Sequence, residues 1–159
     1  MEKRLKKENI KKFIFAGKST VTVENLLTTN YFTYKVIRAK GEKENRPWFV
    51  NVLTGSDNEK SYTYIGSVFP KDMSFTLTKG SKFSDNAQSV KVAKFIFNMI
   101  KTDNYKEVIA FYHDGKCGSC GRKLTTPESI ERGLGPVCGD NIISKGRERR
   151  KKIAKALNS

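Results

Sequence analysis

The feature that most constrains this chain is a cluster of metal-ligating side chains near its carboxyl end. Cys117 and Cys120 form a Cys-x-x-Cys pair, Cys138 is the remaining cysteine, and His113 is the sole histidine. Zinc prefers four sulfur or nitrogen ligands in a tetrahedron, and one tight Cys-x-x-Cys turn supplies two of them. A glycine follows each cysteine of the pair, and backbone near a metal often needs the left-handed conformations that glycine adopts. The sequence therefore predicts one structural zinc ion held by His113, Cys117, Cys120 and Cys138.

Three other interpretations of this cluster stay open. A redox Cys-x-x-Cys normally opens a helix after a strand in a thioredoxin-like unit, and no such unit surrounds this motif. A disulfide framework leaves one of the three cysteines unpaired. His113 can also be an ordinary polar residue at the end of a strand, in which case Asp114, Asp140 or water completes the coordination shell of the metal.

The segment between the second and third cysteines predicts a short helix with both ends marked. Thr126 is a good N-cap, Pro127 fits the first helical position, and Gly133 fits the left-handed residue that ends a helix. The apolar residues of this segment are few: Leu124, Ile130, Leu134 and Val137. Because so small a core cannot fold unaided, we expect the metal to be a folding requirement, structural rather than catalytic.

Positive charge is concentrated at the two ends of the chain, whose formal net charge is +15. Residues 1–12 and 145–159 hold 13 of the 31 basic residues and 3 of the 16 acidic ones. Two basic arms favour a polyanionic partner, most often nucleic acid, although solvated tails that keep a protein soluble have the same composition. The basic residues predicted to contact nucleic acid are Lys3, Arg4, Lys6, Lys7, Lys11, Lys12, Arg122, Lys123, Arg132, Arg147, Arg149, Arg150, Lys151 and Lys152.

Composition also argues against several classes of protein. No apolar run approaches the length of a membrane span and no signal-peptide pattern is present, so we expect no membrane partner. Cysteines in metal-ligand spacing without an export signal indicate a reducing cytoplasm. The carboxylates Asp57, Glu59, Asp114 and Asp140 are scattered along the chain, so we expect no enzymatic activity and no small-molecule substrate, with a nuclease as the enzymatic alternative.

Alternation of apolar and polar residues predicts a series of β-strands with short connections, which indicates an antiparallel meander. The predicted strands are 13–16, 20–23, 31–38, 48–53, 62–69, 73–78 and 108–112. A helix over 86–101, capped by Asp85, is expected to cover the sheet with an apolar stripe. That stripe consists of Val92, Phe95, Ile96, Met99 and Ile100.

The expected fold class is therefore α+β, with an antiparallel β-meander sheet covered by one helix. A small zinc-ribbon or zinc-knuckle lobe follows the sheet. The expected divisions are a basic amino-terminal arm at 1–12, the sheet-and-helix domain at 13–112, the zinc lobe at 113–140, and a basic carboxy-terminal helix or tail at 141–159.

Aromatic residues on the predicted strands have two interpretations. Exposed on a sheet beside basic residues, they could hold single strands of nucleic acid by stacking; buried, they fill the core against the helix. Because side chains alternate between the faces of a sheet, both can hold, one on each face. The candidates for stacking are Tyr31, Tyr34, Trp48, Tyr62 and Tyr64.

A series of short motifs between Tyr31 and Gly139 carries a resemblance to a known family. The motifs are Tyr-Phe-Thr-Tyr at 31–34, Pro-Trp-Phe-Val at 47–50, Leu-Thr-Gly at 53–55, Tyr-Thr-Tyr-Ile-Gly at 62–66, Cys-Gly-Ser-Cys-Gly-Arg-Lys-Leu at 117–124, Pro-Glu-Ser-Ile at 127–130 and Gly-Leu-Gly-Pro-Val-Cys at 133–138. They resemble the DUF6011 family, small and mostly bacteriophage-encoded proteins of unknown function. The resemblance implies a zinc-ribbon-like element and a phage or prophage origin, acting in a bacterial cytoplasm, and it implies no established activity.

Together these patterns predict a zinc-stabilised, non-enzymatic phage protein that binds DNA or RNA, mainly through its phosphate backbone. The alternative is a phage effector that binds a host protein, such as RNA polymerase or a defence nuclease, and inhibits or redirects it. The same basic surface would then meet an acidic partner.

Overall fold

The computed structural model describes residues 3–57 and 60–135, and these form an α+β fold with one sheet and three helices. The strands are β1 (Lys18–Asn25), β2 (Tyr31–Arg38), β3 (Trp48–Leu53), β4 (Tyr62–Val68), β5 (Phe75–Thr76) and β6 (Ile109–His113). The helices are α1 (Lys7–Ile14), α2 (Gln88–Thr102) and α3 (Pro127–Arg132).

The six strands are all antiparallel and lie in the order β5-β4-β3-β2-β1-β6. The predicted meander is confirmed for β1 to β5, which follow one another both along the chain and across the sheet. After α2 the chain returns to the other side of β1, where His113 of β6 pairs with Val21. The residues that follow β6 therefore begin beside the first strand.

Helices α1 and α2 pack on the same face of the sheet. Ser19 of β1 donates from Oγ to the carbonyl oxygen of Ile14 at 2.7 Å, and the Tyr34 hydroxyl of β2 donates to the carbonyl oxygen of Ser89 at 2.7 Å. Ser19 and Tyr34 point to one side because they pair with Val36 and Val21, which are both buried. The expectation that one helix covers the sheet is therefore wrong: α1 and α2 share the task.

Helix α1 takes the place of half of a predicted arm, residues 7–12, and half of a predicted strand, residues 13–14. Ile10, Phe13 and Ile14 are buried, and their spacing of three and four residues is that of one helical face. Glu8 lies in the first turn and two lysines lie in the last, which suits the helix dipole. The strand predicted at 13–16 is wrong because it took the apolar end of this helix for a separate element.

Residues before α1 also belong to the sheet. The backbone N–H of Leu5 donates to the carbonyl oxygen of Phe111 at 2.7 Å, and that of His113 donates to Lys3 at 3.1 Å. Arg4 forms an antiparallel bridge with Tyr112. Residues 3–5 therefore cover the outer edge of β6, so the described part of the predicted arm at 1–12 is docked rather than extended.

Helix α2 lies close to its predicted position, but its buried side is rotated. Phe97 is buried whereas Phe95 is 45% exposed, and Val90 and Ala93 join the core. Ala87 is the N-cap, and the predicted cap Asp85 instead forms an ion pair with Lys94. Four residues of the predicted stripe are confirmed, since Ile96, Met99 and Ile100 are buried and Val92 packs against the core. Phe95 is the member of the stripe that was placed wrongly, and Val90, Ala93 and Phe97 were missed.

Two predictions lie outside the described residues: the end of the lobe at 136–140, and the basic helix or tail at 141–159. Among the residues that the structure does describe, no helix combines the length and the apolar character that crossing a membrane requires.

Candidate metal centre

Residues 114–135, here called the cysteine lobe, begin with a tight hairpin that carries Cys117 and Cys120. Lys116 and Lys123 form an antiparallel bridge, and the Cys117 N–H donates to the carbonyl oxygen of Arg122 at 2.8 Å. The turn closes when the N–H of Gly121 donates to the Cys117 carbonyl oxygen at 2.8 Å. Gly121 has φ of 78°, a left-handed conformation that explains the glycine after the second cysteine.

The sulfur of Cys117 is buried inside this turn and surrounded by hydrogen-bond donors. Only 1% of the residue is exposed, and the Ser119 N–H donates to Sγ at 3.4 Å. Burial by itself raises the pKa of the thiol. Hydrogen bonds from the backbone N–H groups of Gly135, Cys120 and Ser119 and from the Cys120 thiol lower the pKa by more than burial raises it, so the pKa is about 7. A sulfur held this way is close to the thiolate form that a metal ligand needs.

Cys120 lies at the surface next to this buried sulfur. Its thiol hydrogen-bonds to Cys117, and neither residue forms a disulfide. The third predicted ligand, Cys138, lies outside the described residues. In residues 3–57 and 60–135, no three His, Cys, Asp or Glu side chains come together as a metal-binding group.

His113 forms its hydrogen bonds with backbone groups and not with the two cysteines. It is 3% exposed, its Nε2 lies 2.5 Å from the carbonyl oxygen of Ile130, and its Nδ1 accepts from the Gly115 N–H at 2.9 Å. A neutral imidazole has one donor and one acceptor, so both are already in use. Burial lowers its pKa, while the Ile130 carbonyl and Asp114 oppose that shift and Lys3 adds to it. This geometry joins β6 to α3 and disfavours the predicted role of His113 as a zinc ligand.

The predicted helix of the lobe is confirmed in α3, including both ends. Thr126 is the N-cap, with its Oγ1 accepting from the Ser129 N–H at 3.2 Å, and Gly133 ends the helix with φ of 73°. The buried residues of the lobe's own cluster are Cys117, Leu124 and Leu134. So few apolar side chains cannot hold a lobe of this size by themselves.

Phe13 of α1 joins the cysteine lobe to the sheet. Its ring lies so close to Gly118 and Gly133 that a Cβ added at either would come within 2.7 Å and 2.6 Å of it. The N–H of Gly118 also donates to the carbonyl oxygen of Gly133 at 2.9 Å, which holds the turn against the end of α3. On the surface, Lys6 pairs with Glu131 at 2.6 Å. The lobe is thus docked on α1.

Comparison with known families finds one match, and it falls on this lobe. Residues 110–142 match a family of unknown function, DUF6011. Comparisons with curated proteins and with solved structures found no match. The DUF6011 match runs from β6 through the cysteine lobe to beyond Cys138 and covers about a fifth of the chain. It confirms the resemblance for the motifs from 117 to 138, whereas the motifs from 31 to 66 lie outside it.

The residues of the DUF6011 match fit zinc in part. Two thiols share one turn, and hydrogen bonds lower the pKa of the buried one, which favours the thiolate that zinc requires as a donor. With His113 engaged by backbone, a complete site needs Cys138 and one more ligand. Asp114, which is exposed, and Asp140, which lies outside the described residues, are carboxylates within two residues of His113 and Cys138 in the sequence.

The residues predicted to contact nucleic acid differ in their exposure. Lys7, Lys11 and Lys12 of α1 are exposed, as are Arg122 and Lys123 beside the cysteine turn. The side chains of Lys3 and Arg4 are also exposed, although their backbone joins the sheet, and Lys6 is ion-paired. Arg132 is half-buried, and its Nε finds no acceptor among the described residues. Arg147, Arg149, Arg150, Lys151 and Lys152 lie outside the described residues.

Of the aromatic candidates for stacking, two are in the core. Tyr34 is 0% exposed, and Trp48 is 7% exposed, packing against Phe15 with ring centroids 4.9 Å apart. The prediction that Tyr34 and Trp48 stack on nucleic acid is therefore wrong, because at their positions in the strands the side chains face the helices. Tyr31, Tyr62 and Tyr64 lie on the opposite side of their strands, together with Phe49, which the sequence interpretation missed. The alternation of Phe49 between Trp48 and Val50 was the signal that could have found it.

Proposed function

We propose that this protein is a non-enzymatic, zinc-stabilised nucleic-acid-binding protein that holds the phosphate backbone with basic side chains. Zinc would be bound by Cys117, Cys120 and Cys138, with a carboxylate or water in the fourth position. The metal would be structural, since it sits at the end of a lobe with almost no core of its own. The resemblance to phage proteins adds a phage origin and a bacterial cytoplasm to this proposal.

One observation carries the proposal. The helix that bears exposed Lys7, Lys11 and Lys12 is packed directly against the lobe that bears exposed Arg122 and Lys123. Two basic groups far apart in sequence therefore lie on elements that pack against each other, in a chain with net charge +15. Lysine and arginine side chains that neutralise phosphates release counterions, so such a surface binds nucleic acid with little dependence on sequence.

A salt titration tests the phosphate contacts. We expect the affinity for a labelled oligonucleotide to fall by orders of magnitude between about 50 and about 200 mM salt. Replacing Lys7, Lys11 and Lys12 by alanine together should weaken binding. It should also reduce the slope of log K against log salt by about one for each lysine that no longer neutralises a phosphate.

The matched control removes the same charge elsewhere. Lys43, Lys71 and Lys91 are exposed and belong to neither α1 nor the cysteine lobe, and their triple alanine variant should keep most of the slope. Equal loss in the two triple variants would mean that net charge alone acts, and an affinity indifferent to salt would contradict the proposal. Labelled DNA and RNA incubated with the protein and magnesium or manganese should stay intact.

A further inference from the structure

The sheet has a second face, which we call the open face, that no described helix covers. Its central side chains come from β1, β2 and β3 and are mostly polar: Thr20, Thr22, Thr33, Lys35 and Asn51. Register puts Lys35 between Thr20 and Asn51, and the hydroxyls of Thr22 and Thr33 are hydrogen-bonded at 2.8 Å. Ile37, which is 39% exposed, lies on the same face beside Phe49, and the surrounding hydroxyl, amide and ammonium groups can form hydrogen bonds across this surface.

Aromatic rings border this polar centre. They are Tyr31, Phe49, Tyr62 and Tyr64, with Tyr31 65% and Phe49 40% exposed. Phe49 meets Tyr64 edge-on with centroids 6.0 Å apart, and the Tyr64 hydroxyl is hydrogen-bonded to Ser67 at 2.6 Å and Thr78 at 2.9 Å. These contacts hold the Phe49 and Tyr64 rings in place. Rings held in place on a sheet can take a stacked partner with little loss of side-chain entropy.

Positive charge lies among these rings. Lys35 Nζ is 4.3 Å from the centroid of Tyr62, and Lys18 is exposed at the start of β1. Where the open face meets the cysteine lobe, a depression of about 300 Å³ is lined by Lys18, Lys35 and Lys116 against one carboxylate, Asp114. The charge of this region therefore complements a polyanion.

From these observations we infer that the open face binds single-stranded nucleic acid, with bases stacked on Phe49 and Tyr62 and phosphates near the lysines. This rests on the proposed function and adds the form of the nucleic acid and the face that holds it. Stacking requires bases whose flat faces are accessible, and a duplex hides them between neighbouring pairs. Hydroxyl and amide groups at the centre can bond base edges or sugars of any sequence.

The test compares single strands with a duplex. Fluorescence anisotropy of labelled oligo(dT), oligo(U) and a duplex of equal length is measured with the full chain and its variants. Phe49→Ala and Tyr62→Ala should each weaken single-strand binding between about 5-fold and about 150-fold, the range for losing one stacked base. Duplex binding should not change, because it depends on phosphate contacts alone. Oligo(dU) compared with oligo(U) identifies the sugar that the face accepts, because these two strands carry the same base.

Matched variants keep the inference falsifiable. Phe95 is 45% exposed on α2, on the other side of the sheet, so Phe95→Ala removes a ring of the same size and exposure. Phe49→Tyr keeps the ring and should retain binding, which guards against misreading a folding defect in Phe49→Ala. If Phe49→Ala and Tyr62→Ala bind single strands as Phe95→Ala does, the inference is wrong although phosphate binding by the α1 lysines stands. If the unaltered chain binds neither single strand nor duplex, the proposed function fails as well.

Discussion

The sheet with its two helices and the cysteine lobe differ in how many apolar side chains each brings to its own stability. The first buries 21 residues in one cluster that runs from Leu5 to Phe111. The second buries three, and one of them is a cysteine. About two thirds of the family match falls on the second region, and the match ends outside the described residues.

This difference shows how a small lobe can be ordered on a larger one. Burying an apolar side chain contributes about 1.5–3 kcal/mol, so the sheet can fold by its core alone while the lobe cannot. The lobe instead uses the ring of Phe13, the buried imidazole of His113 and, in our proposal, a zinc ion. Each can be removed separately, which makes the comparison testable.

Removing the metal should have the largest effect and should act on one region. We expect a strong chelator, or Cys117→Ser, to abolish hydrogen-exchange protection in the cysteine lobe and leave it in β1 to β5. Structural zinc sites carry about 10–16 kcal/mol of apparent binding free energy, far more than three buried residues supply.

Ser119→Ala, inside the same turn, is the control and should retain both one equivalent of zinc and the protection. If the lobe stays protected after elemental analysis shows that all zinc has been removed, the lobe does not need a metal to fold.

Truncating Phe13 should affect both regions at once. The ring is fully buried in the main core and also touches the glycines of the lobe. Phe13→Ala should lower the free energy of unfolding by about 3–5 kcal/mol and increase exchange in the lobe. Phe95→Ala, measured by the same denaturant titration, should have little effect because that ring is 45% exposed.

Two glycines of the lobe separate backbone strain from packing. Gly121 and Gly133 have φ of 78° and 73°, but a Cβ at Gly121 meets open space while one at Gly133 comes within 2.6 Å of Phe13. Gly121→Ala should cost about 1 kcal/mol of strain, and Gly133→Ala about 1–3 kcal/mol more. Equal losses in thermal unfolding would mean that Phe13 moves aside freely.

Replacing His113 distinguishes a structural residue from a ligand. His113→Gln should cost about 1–3 kcal/mol, because Ile130 and Gly115 lose a buried partner, while zinc stoichiometry and affinity stay unchanged. A large loss of zinc affinity in a competition titration would restore His113 to the coordination shell.

The pH dependence should follow the direction of the His113 pKa. Burial, opposed by Ile130 and Asp114, holds the folded pKa below the ordinary value of 6.5. The contribution to stability is then complete above pH 6.5 and is lost as pH falls through the folded pKa, since the unfolded chain binds the proton first. His113→Gln should lack this component of the acid loss.

The smallest effect is expected at the surface pair of Lys6 and Glu131. Both side chains are largely exposed, so solvent and salt screen their attraction. Glu131→Gln should leave the thermal midpoint and the exchange of the lobe unchanged. A measurable increase in exchange would mean that this pair contributes to docking the lobe in addition to Phe13.

Sequence reasoning succeeded where local patterns carry the structural signal. Period-two alternation located β2 and β3 with their observed bounds, and the Thr126, Pro127 and Gly133 signals located α3. It failed at α1, because eight residues with three apolar positions fit a strand fragment as well as a helix end. On α2 it located the buried positions Ile96, Met99 and Ile100 correctly. It missed Val90 and Ala93 there, and it wrongly placed Phe95 on the buried side.

The candidate site divides in the same way. Residue type and spacing alone singled out Cys117 and Cys120 as a pair on one turn, since a Cys-x-x-Cys spacing brings two thiols together over a few bonds. No local pattern could reveal that both ring nitrogens of His113 hydrogen-bond to the backbone of Ile130 and Gly115, because Ile130 lies 17 residues away.

By itself, then, the sequence determined the strand pattern, the cysteine turn and the excess of positive charge, all of which depend on neighbouring residues. The tertiary structure decided which aromatic rings face solvent. It also decided that α1 contacts the lobe through Phe13 and that the His113 imidazole connects β6 to α3 by a hydrogen bond. These depend on contacts between segments far apart in the chain, whose energies no short window of residues contains.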